Sequence, residues 1–238
     1  MKSLKENEED YNHIKLEFQK EDNLIVACRI ASEIKEHKET LKEVFAFLIS
    51  AFKGKLRNDR KTPLVFHSIY LTRLAYFYGE DSIDSLLVPA LHDVLEDSDI
   101  SEGELIKKKF MLGKKHLIES LKILEEKKSL SREPDGKSLP PRYIEHVKRI
   151  IGAPREVVNT EIIDRFSDLM DLEYITELPE EERNLRLKSK MIKVKSFVYN
   201  IIRERNDFNT GFLKLFEEKV MEIENKWNIK TDFVTLYS

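Results

Sequence analysis

Apolar residues recur at helical spacing along almost the whole chain, and this periodicity is the strongest constraint on its fold. Residues three and four apart share one face of a helix, so the pattern gives each helix an apolar stripe that has to be buried. Only 7 glycines and 7 prolines occur among the 238 residues, which leaves room for long uninterrupted helices. The only stretch that alternates as a strand would is the tail at residues 232–237. The sequence therefore predicts an all-α fold.

Local signals indicate where these helices begin and end. Pro63 fits the first turn of a helix, and Ser101 followed by Glu104 resembles a capping box. Residues 129–142 are rich in turn-forming residues and are expected to form a loop. We expect helices at residues 24–31, 41–51, 63–79, 82–95, from 101 onward, and at 143–151, 158–174, 181–205 and 210–227.

Composition excludes several classes of protein. The formal net charge of −3 argues against a general nucleic-acid-binding protein, because such proteins usually carry an excess of basic residues. A single cysteine, Cys28, excludes an internal disulfide framework and fits a reducing compartment, so we expect a cytoplasmic protein. We expect neither a signal peptide nor a membrane span, because no apolar run approaches the roughly 18 residues that a span needs.

The highest density of ionisable residues lies at residues 92–97, which read HDVLED and follow an apolar helix. A buried cluster of ionisable groups costs free energy unless the groups are paired or bind a metal. His92 and Asp93 lie about 100° apart around a helix, so both can face one ion. His67 and Asp164 also interrupt apolar helical faces. Two imidazoles and two carboxylates together point to a divalent metal site.

Three segments in this order resemble the motifs of the HD phosphohydrolase superfamily, and more closely the hydrolase domain of RelA/SpoT-type alarmone hydrolases. Residues 62–68 read TPLVFHS, where that family has TPYxxHP. Residues 88–98 read VPALHDVLEDS, where it has ALLHDxxEDT. Residues 161–172 read EIIDRFSDLMDL, where it has KLAD, then Arg or Lys, then LxNLRxL. The resemblance covers roughly residues 38–228.

The resemblance implies a helical HD domain at residues 38–228, preceded by extra helices at 1–37 and followed by a tail at 229–238. It implies one divalent ion, manganese first and iron or another transition metal as the alternatives. The ligands it implies are His67, His92, Asp93 and Asp164. Four ligands would complete a tetrahedral structural site, whereas an octahedral ion would keep two positions open for water and substrate.

The implied reaction is removal of the 3′-pyrophosphate from guanosine tetraphosphate or pentaphosphate. Glu96 would orient or deprotonate the attacking water, and Asp97 would assist that transfer or protonate the leaving oxygen. Basic residues of the loop at residues 53–61 would face the nucleotide, because arginine and lysine bind phosphate oxygens well. The implied substrate contacts are Lys55, Arg57, Lys61, Asp168, Arg183 and Arg186, with Lys190 as a further candidate.

The chain departs from the family pattern at four positions, which carry Leu64, Ser68, Asp168 and Met170 in place of tyrosine, proline, asparagine and arginine. An ionised aspartate only accepts hydrogen bonds and would repel a phosphate-rich ligand at position 168. Two alternatives therefore stay open. One is an HD phosphohydrolase of another nucleotide or phosphoester, and the other is a catalytically silent module that senses a nucleotide or binds a partner. The helices at residues 1–37 would serve packing or a homodimer contact.

Ordinary structural roles are also open for the same residues. His67 would be a core histidine, Asp164 a salt-bridge partner, the acidic pair a charged helix end, and the basic loop a solvated one. Asp168 and Asp171 are expected on a solvated face. The remaining histidines are expected at the surface: His13, His37, His116 and His146.

Overall fold

The protein is described by a computed structural model that covers residues 2–125, 141–172, 175 and 178–236. Within these ranges all regular secondary structure is helical, apart from one isolated bridge between Leu56 and Pro63, so the predicted all-α class is confirmed. Short 3-10 turns lie at Lys35–His37 and Lys109–Met111. The α-helices are α1 (Leu4–Lys20), α2 (Asn23–Glu33), α3 (Lys38–Ala51), α4 (Val65–Phe77), α5 (Ile83–Leu91), α6 (Val94–Asp97), α7 (Glu102–Leu105), α8 (Lys115–Leu124), α9 (Pro141–Ile151), α10 (Arg155–Met170), α11 (Glu180–Glu204) and α12 (Thr210–Trp227).

The helices divide into two compact units, Met1–Glu125 and Glu126–Ser238. Helices α1–α8 belong to the first unit and α9–α12 to the second. The domain boundaries expected at residues 37 and 228 stay a prediction. None of the helices in the described ranges combines the length and the apolar character that a membrane crossing needs.

Most of the expected helix ends agree with the structure, because they rest on local chemistry. Helix α12 has the predicted bounds, and the capping box of Ser101 and Glu104 is present at the start of α7. Gly54 and Gly79, which follow α3 and α4, have positive φ angles of 77° and 91° that suit glycine. Helix α4 begins at Val65, after an initial turn in which Phe66 donates to the carbonyl of Pro63.

Three expectations are wrong, and one falls largely on residues outside the described ranges. The helix expected at residues 82–95 is divided after Leu91, where the imidazole of His92 donates to the carbonyl of Pro89. The tail is irregular at residues 232–236, because its amides pair with α11 side chains rather than with a strand. The loop expected at residues 129–142 falls largely on residues outside the described ranges, whereas the helix expected to end at 174 ends at Met170.

Aromatic packing joins the N-terminal helix α1 to α4 in the core of the first unit. Tyr11 meets Phe66 and Tyr70 edge-to-face, with ring centroids 5.1 and 4.8 Å apart. Phe18 lies 5.8 Å from the same Phe66 ring. Arg73 of α4 is also paired with carboxylates of both α1 and α2. The helices expected as an N-terminal addition are therefore part of the core against which α4 packs.

Helix α10 is the buried centre of the second unit and packs against α9, α11 and α12. Phe166 on α10, Phe197 on α11 and Phe212 on α12 are almost completely buried. Polar and charged side chains of α10, among them Glu161 and Arg165, are buried with them. Since isolated charges are costly in such a core, these groups need partners.

Candidate functional site

The first unit brings together His67, His92 and Asp93, whose ligand atoms all lie within 4.8 Å of one another. The two imidazole Nε2 atoms face each other at 3.2 Å. The carboxylate of Asp93 approaches both rings, with Oδ1 3.1 Å from His92 Nε2 and Oδ2 3.8 Å from His67 Nε2. Three of the four side chains expected to bind a metal therefore converge within one unit.

The local fold sets the orientation of both rings. His67 is only 4% exposed, because α4 is buried on all its faces from Val65 to Ala75. His92 is 7% exposed, and its Nδ1 lies 2.9 Å from the carbonyl oxygen of Pro89. A carbonyl only accepts, so Nδ1 of His92 carries a hydrogen, and in the neutral ring this leaves the Nε2 lone pair for a metal. Such an orienting bond to a carbonyl is typical of metal-binding histidines.

The geometry of these three residues fits a divalent ion. Two nitrogen ligands about 2.1 Å from one ion, at angles of about 90–109°, are about 3.0–3.4 Å apart. The observed 3.2 Å separation lies within that range. The mixture of imidazole and carboxylate donors suits a transition metal better than magnesium, which prefers oxygen ligands.

Asp164, the fourth expected ligand, lies on α10 of the second unit. Its side chain is half-buried, with Oδ2 3.5 Å from an Arg165 guanidinium nitrogen. The salt bridge that the sequence left open as an alternative is thus present. Its role as a metal ligand stays a prediction.

The acidic pair Glu96 and Asp97 forms the end of α6, the helix that begins directly after Asp93. The amide of Asp97 donates to the carbonyl of Asp93 at 2.7 Å, which fixes the pair one helical turn beyond that ligand. Both side chains are half-buried. The ammonium group of Lys55 donates to the carbonyl of Asp97, so the basic loop is attached to this same turn.

The basic loop is a closed, hairpin-like segment. Lys55 and Leu64 pair through a backbone hydrogen bond of 2.9 Å, as do Arg57 and Thr62. Among the expected phosphate contacts, Lys55 and Arg57 are half-buried and Lys61 is exposed. The three expected phosphate contacts of the loop therefore lie on one short, hydrogen-bonded segment.

Asp59 holds the inner turn of this loop. Its carboxylate accepts from the amides of Lys61 and Thr62 at 2.9 Å and from the Thr62 hydroxyl at 2.6 Å. Burial would raise the pKa of Asp59, but these hydrogen bonds, together with the charge of Lys15, hold that pKa far below its usual value. The loop is thus built around an ionised carboxylate.

In the second unit, His146 is buried rather than exposed, so its expected surface position is wrong. It is 1% exposed, and its Nε2 lies 2.8 Å from a carboxylate oxygen of Glu161. Its Nδ1 accepts from Arg149 at 2.9 Å, because a guanidinium can only donate. The spacing from Tyr143 to Ile150 would have placed His146 on the apolar face of α9. Of the other histidines, His13 and His116 are exposed, as expected.

Glu161 is one of the buried charged residues that no pattern in the sequence indicated. It is 3% exposed and accepts from His146 and, at 3.0 and 3.3 Å, from two nitrogens of Arg165. Burial would raise the pKa of Glu161, but the charge of Arg165 outweighs it and lowers that pKa. The Arg165 guanidinium also lies over Phe197, 4.7 Å from the ring centroid. These contacts hold the side chain of Arg165, which also lies 3.5 Å from the carboxylate of Asp164.

Asp168 lies one turn after Asp164 and is held by two cations. Its carboxylate is 2.8 Å from the Lys190 ammonium and 3.3 Å from Arg165. Burial lowers the pKa of Lys190, but the charge of Asp168 outweighs this effect and raises it. The solvated face expected for Asp168 and Asp171 is wrong, because Asp168 is ion-paired and Asp171 is only 9% exposed.

The arginines expected to bind phosphate at the start of α11 have partners within the second unit. Arg186 is exposed and pairs with Glu182 at 2.7 Å. Arg183 lies over the ring of Trp227 at 4.8 Å, and its buried Nε makes no hydrogen bond within the described residues. Their contacts with a substrate stay predictions.

Comparisons with known proteins bear on the fold. No family model and no curated protein matches the sequence. A solved structure does match, and it is described as a metazoan ortholog of SpoT that hydrolyses ppGpp and plays a role in starvation responses. The match has a TM-score of 0.57 and 20% identity, and it covers 79% of this chain and 95% of the other. The resemblance drawn from the motifs is thus confirmed at the level of the fold, and this chain has the helical fold of that hydrolase.

Proposed function

We propose that this protein is a metal-dependent phosphohydrolase of nucleotides. The best-supported reaction is hydrolysis of the 3′-pyrophosphate of guanosine tetraphosphate or pentaphosphate, which releases pyrophosphate and GDP or GTP. The observation that carries the proposal is the convergence of His67, His92 and Asp93, with Nε2 of His92 directed into the cluster. The fold similarity to a ppGpp hydrolase supports the same reaction class.

The cluster would hold one divalent ion, for which we propose manganese, with Asp164 as the fourth ligand. A bound ion of this kind supplies Lewis acidity and makes water a stronger nucleophile at neutral pH. Glu96 would accept the proton of the attacking water, and Asp97 would return a proton to the leaving oxygen. Acid–base assistance of this type contributes about 10²–10⁴ in rate.

The basic loop would bind the phosphates of the substrate. Arg57 is the strongest candidate, because a guanidinium grips two phosphate oxygens at once. Lys55 is held next to the acidic pair through the carbonyl of Asp97, which would bring a positive charge close to the reacting phosphate. We propose the reducing cytoplasm as the place of action, in keeping with the single cysteine.

The direct test is an assay of the purified full chain with manganese and guanosine tetraphosphate, following pyrophosphate and GDP. We expect Asp93→Ala to lose both the metal and turnover. Glu96→Ala should keep one metal equivalent per chain and lose turnover. If the wild-type protein holds the metal but releases no pyrophosphate, the substrate assignment is rejected.

A second candidate is hydrolysis of another nucleotide or phosphoester, and the environment of Asp168 favours it. Asp168 lies one turn beyond Asp164, at the position where the alarmone hydrolases have an asparagine. Its carboxylate is ion-paired with Lys190 and Arg165. A carboxylate there would accept from a hydroxyl group and disfavour a phosphate. A panel of nucleotides with free or phosphorylated 3′ positions separates the two candidates. Binding of a nucleotide without any turnover would instead support a sensing module.

A further inference from the structure

Helix α1 precedes residues 38–228, the part of the chain whose motifs resemble the alarmone hydrolases, yet it touches the basic loop directly. The Lys15 ammonium is 3.3 Å from the Asp59 carboxylate, and its side chain is only 13% exposed. One turn later, Gln19 donates to the hydroxyl of Thr62 at 2.7 Å. Residues 15 and 19 are four apart and share one face of the helix, so α1 contacts Asp59 within the basic loop and Thr62 directly after it.

These two contacts reach the residues that give the loop its shape. Thr62 is completely buried and donates its hydroxyl to Asp59, while Asp59 accepts from two amides of the turn. Lys15 and Gln19 therefore close a hydrogen-bonded chain through Thr62 and Asp59. The partners within the loop are the same groups that hold its backbone around Arg57.

The same helix is fixed to α4, which carries His67. Tyr11 and Phe18 enclose the ring of Phe66, the residue next to His67. Arg73 of α4 donates to Asp10 of α1. One rigid helix thus contacts both the segment that would bind phosphate and the helix that carries a proposed metal ligand.

We propose that α1 is a positioning element for substrate binding, in which Lys15 and Gln19 hold the basic loop in the shape that presents Arg57 and Lys55 to a phosphate-bearing ligand. This rests on the proposed function, and it assigns a role to a part of the chain that the motifs do not cover. Because neither residue belongs to the metal cluster, loss of the contact should weaken substrate binding and leave metal binding intact.

The test compares wild type with Lys15→Met, Lys15→Arg and the matched control Lys20→Met on the exposed end of the same helix. We expect Lys15→Met to raise the KM for guanosine tetraphosphate about three- to tenfold, the size expected when one ion pair stops restraining a loop. Metal content and kcat should stay unchanged, Lys15→Arg should restore the KM, and Lys20→Met should match wild type.

Two readouts keep the inference separate from the proposed reaction. Hydrogen exchange of residues 53–64 should become faster in Lys15→Met, and inorganic pyrophosphate should bind more weakly by calorimetry. If the wild-type chain hydrolyses no nucleotide, the proposed function fails, and pyrophosphate binding alone decides the role of α1. Unchanged loop exchange, unchanged ligand binding, or a parallel loss of metal in Lys15→Met would overturn the inference.

Discussion

The substitution Glu161→Gln keeps the shape of a buried side chain on α10 and removes its charge. Both carboxylate oxygens of Glu161 accept from donors, one from His146 and one from Arg165. A glutamine has only one acceptor oxygen. Its NH₂ group, which only donates, would therefore face a hydrogen-bond donor of either His146 or Arg165. His146 cannot easily adapt, because its Nδ1 already accepts from Arg149 and the hydrogen must stay on Nε2.

The expected loss of stability depends on the carboxylates that still neutralise Arg165 in the variant. Removing one partner of a buried ion pair typically costs about 3–5 kcal/mol, because the other charge is left uncompensated. Here Arg165 keeps Asp164 at 3.5 Å and Asp168 at 3.3 Å, so part of the compensation survives. We therefore expect Glu161→Gln to lower the free energy of unfolding of the second unit by about 2–3 kcal/mol.

Urea unfolding followed by tryptophan fluorescence measures this change, because the single tryptophan, Trp227, lies in the second unit. Glu145→Gln on the exposed side of α9 is the matched control and should change stability by less than about 0.5 kcal/mol. The pKa of Glu161 lies below its ordinary value of 4.5, so its stabilisation is present above that pH and is lost as the pH falls further. A loss under about 1 kcal/mol near neutral pH would refute the reasoning.

Further outcomes are expected elsewhere in the chain. Manganese at about 100 times its Kd should stabilise the wild type by about 2.7 kcal/mol in thermal scans, and a comparable gain in His67→Ala would contradict its role as a ligand. Asp59→Asn should destabilise the first unit near neutral pH. Because the pKa of Asp59 is depressed, the stability difference from wild type should shrink as the pH falls below 3.8. A stability difference that does not change with pH in urea titrations would argue against this role of the Asp59 charge. Lys190→Met should cost about 1–2 kcal/mol by urea unfolding, and Asp168→Asn in the same chain should recover part of that loss; strictly additive losses would show that the pair is not coupled.

Much of the metal cluster could be predicted from the sequence, because its members are marked by their position. His67 interrupts an apolar helix, and His92 and Asp93 are neighbours at the end of another. Such polar residues on buried faces need a partner, so their convergence is a reasonable expectation. The meeting of the two Nε2 atoms at 3.2 Å required the packing of α4 against α5.

The ion pairs of α10 could not be predicted in the same way. Glu161 and Lys190 resemble ordinary surface residues of charged helices, and the local sequence does not predict which residues they pair with. Glu161 pairs with His146 of α9, and Lys190 of α11 pairs with Asp168. These partners are set by how three helices pack, which the spacing of apolar residues does not specify.

The sequence by itself determined that the chain is helical, where most helices end, and which residues are candidates for a metal, because spacing, caps and glycines act within a few residues. Only the tertiary structure decided which charged groups meet. Lys15 contacts Asp59 and Gln19 contacts Thr62 because aromatic packing fixes α1 against α4. Such contacts depend on the relative placement of whole helices, and that placement is set by the packing of their buried faces.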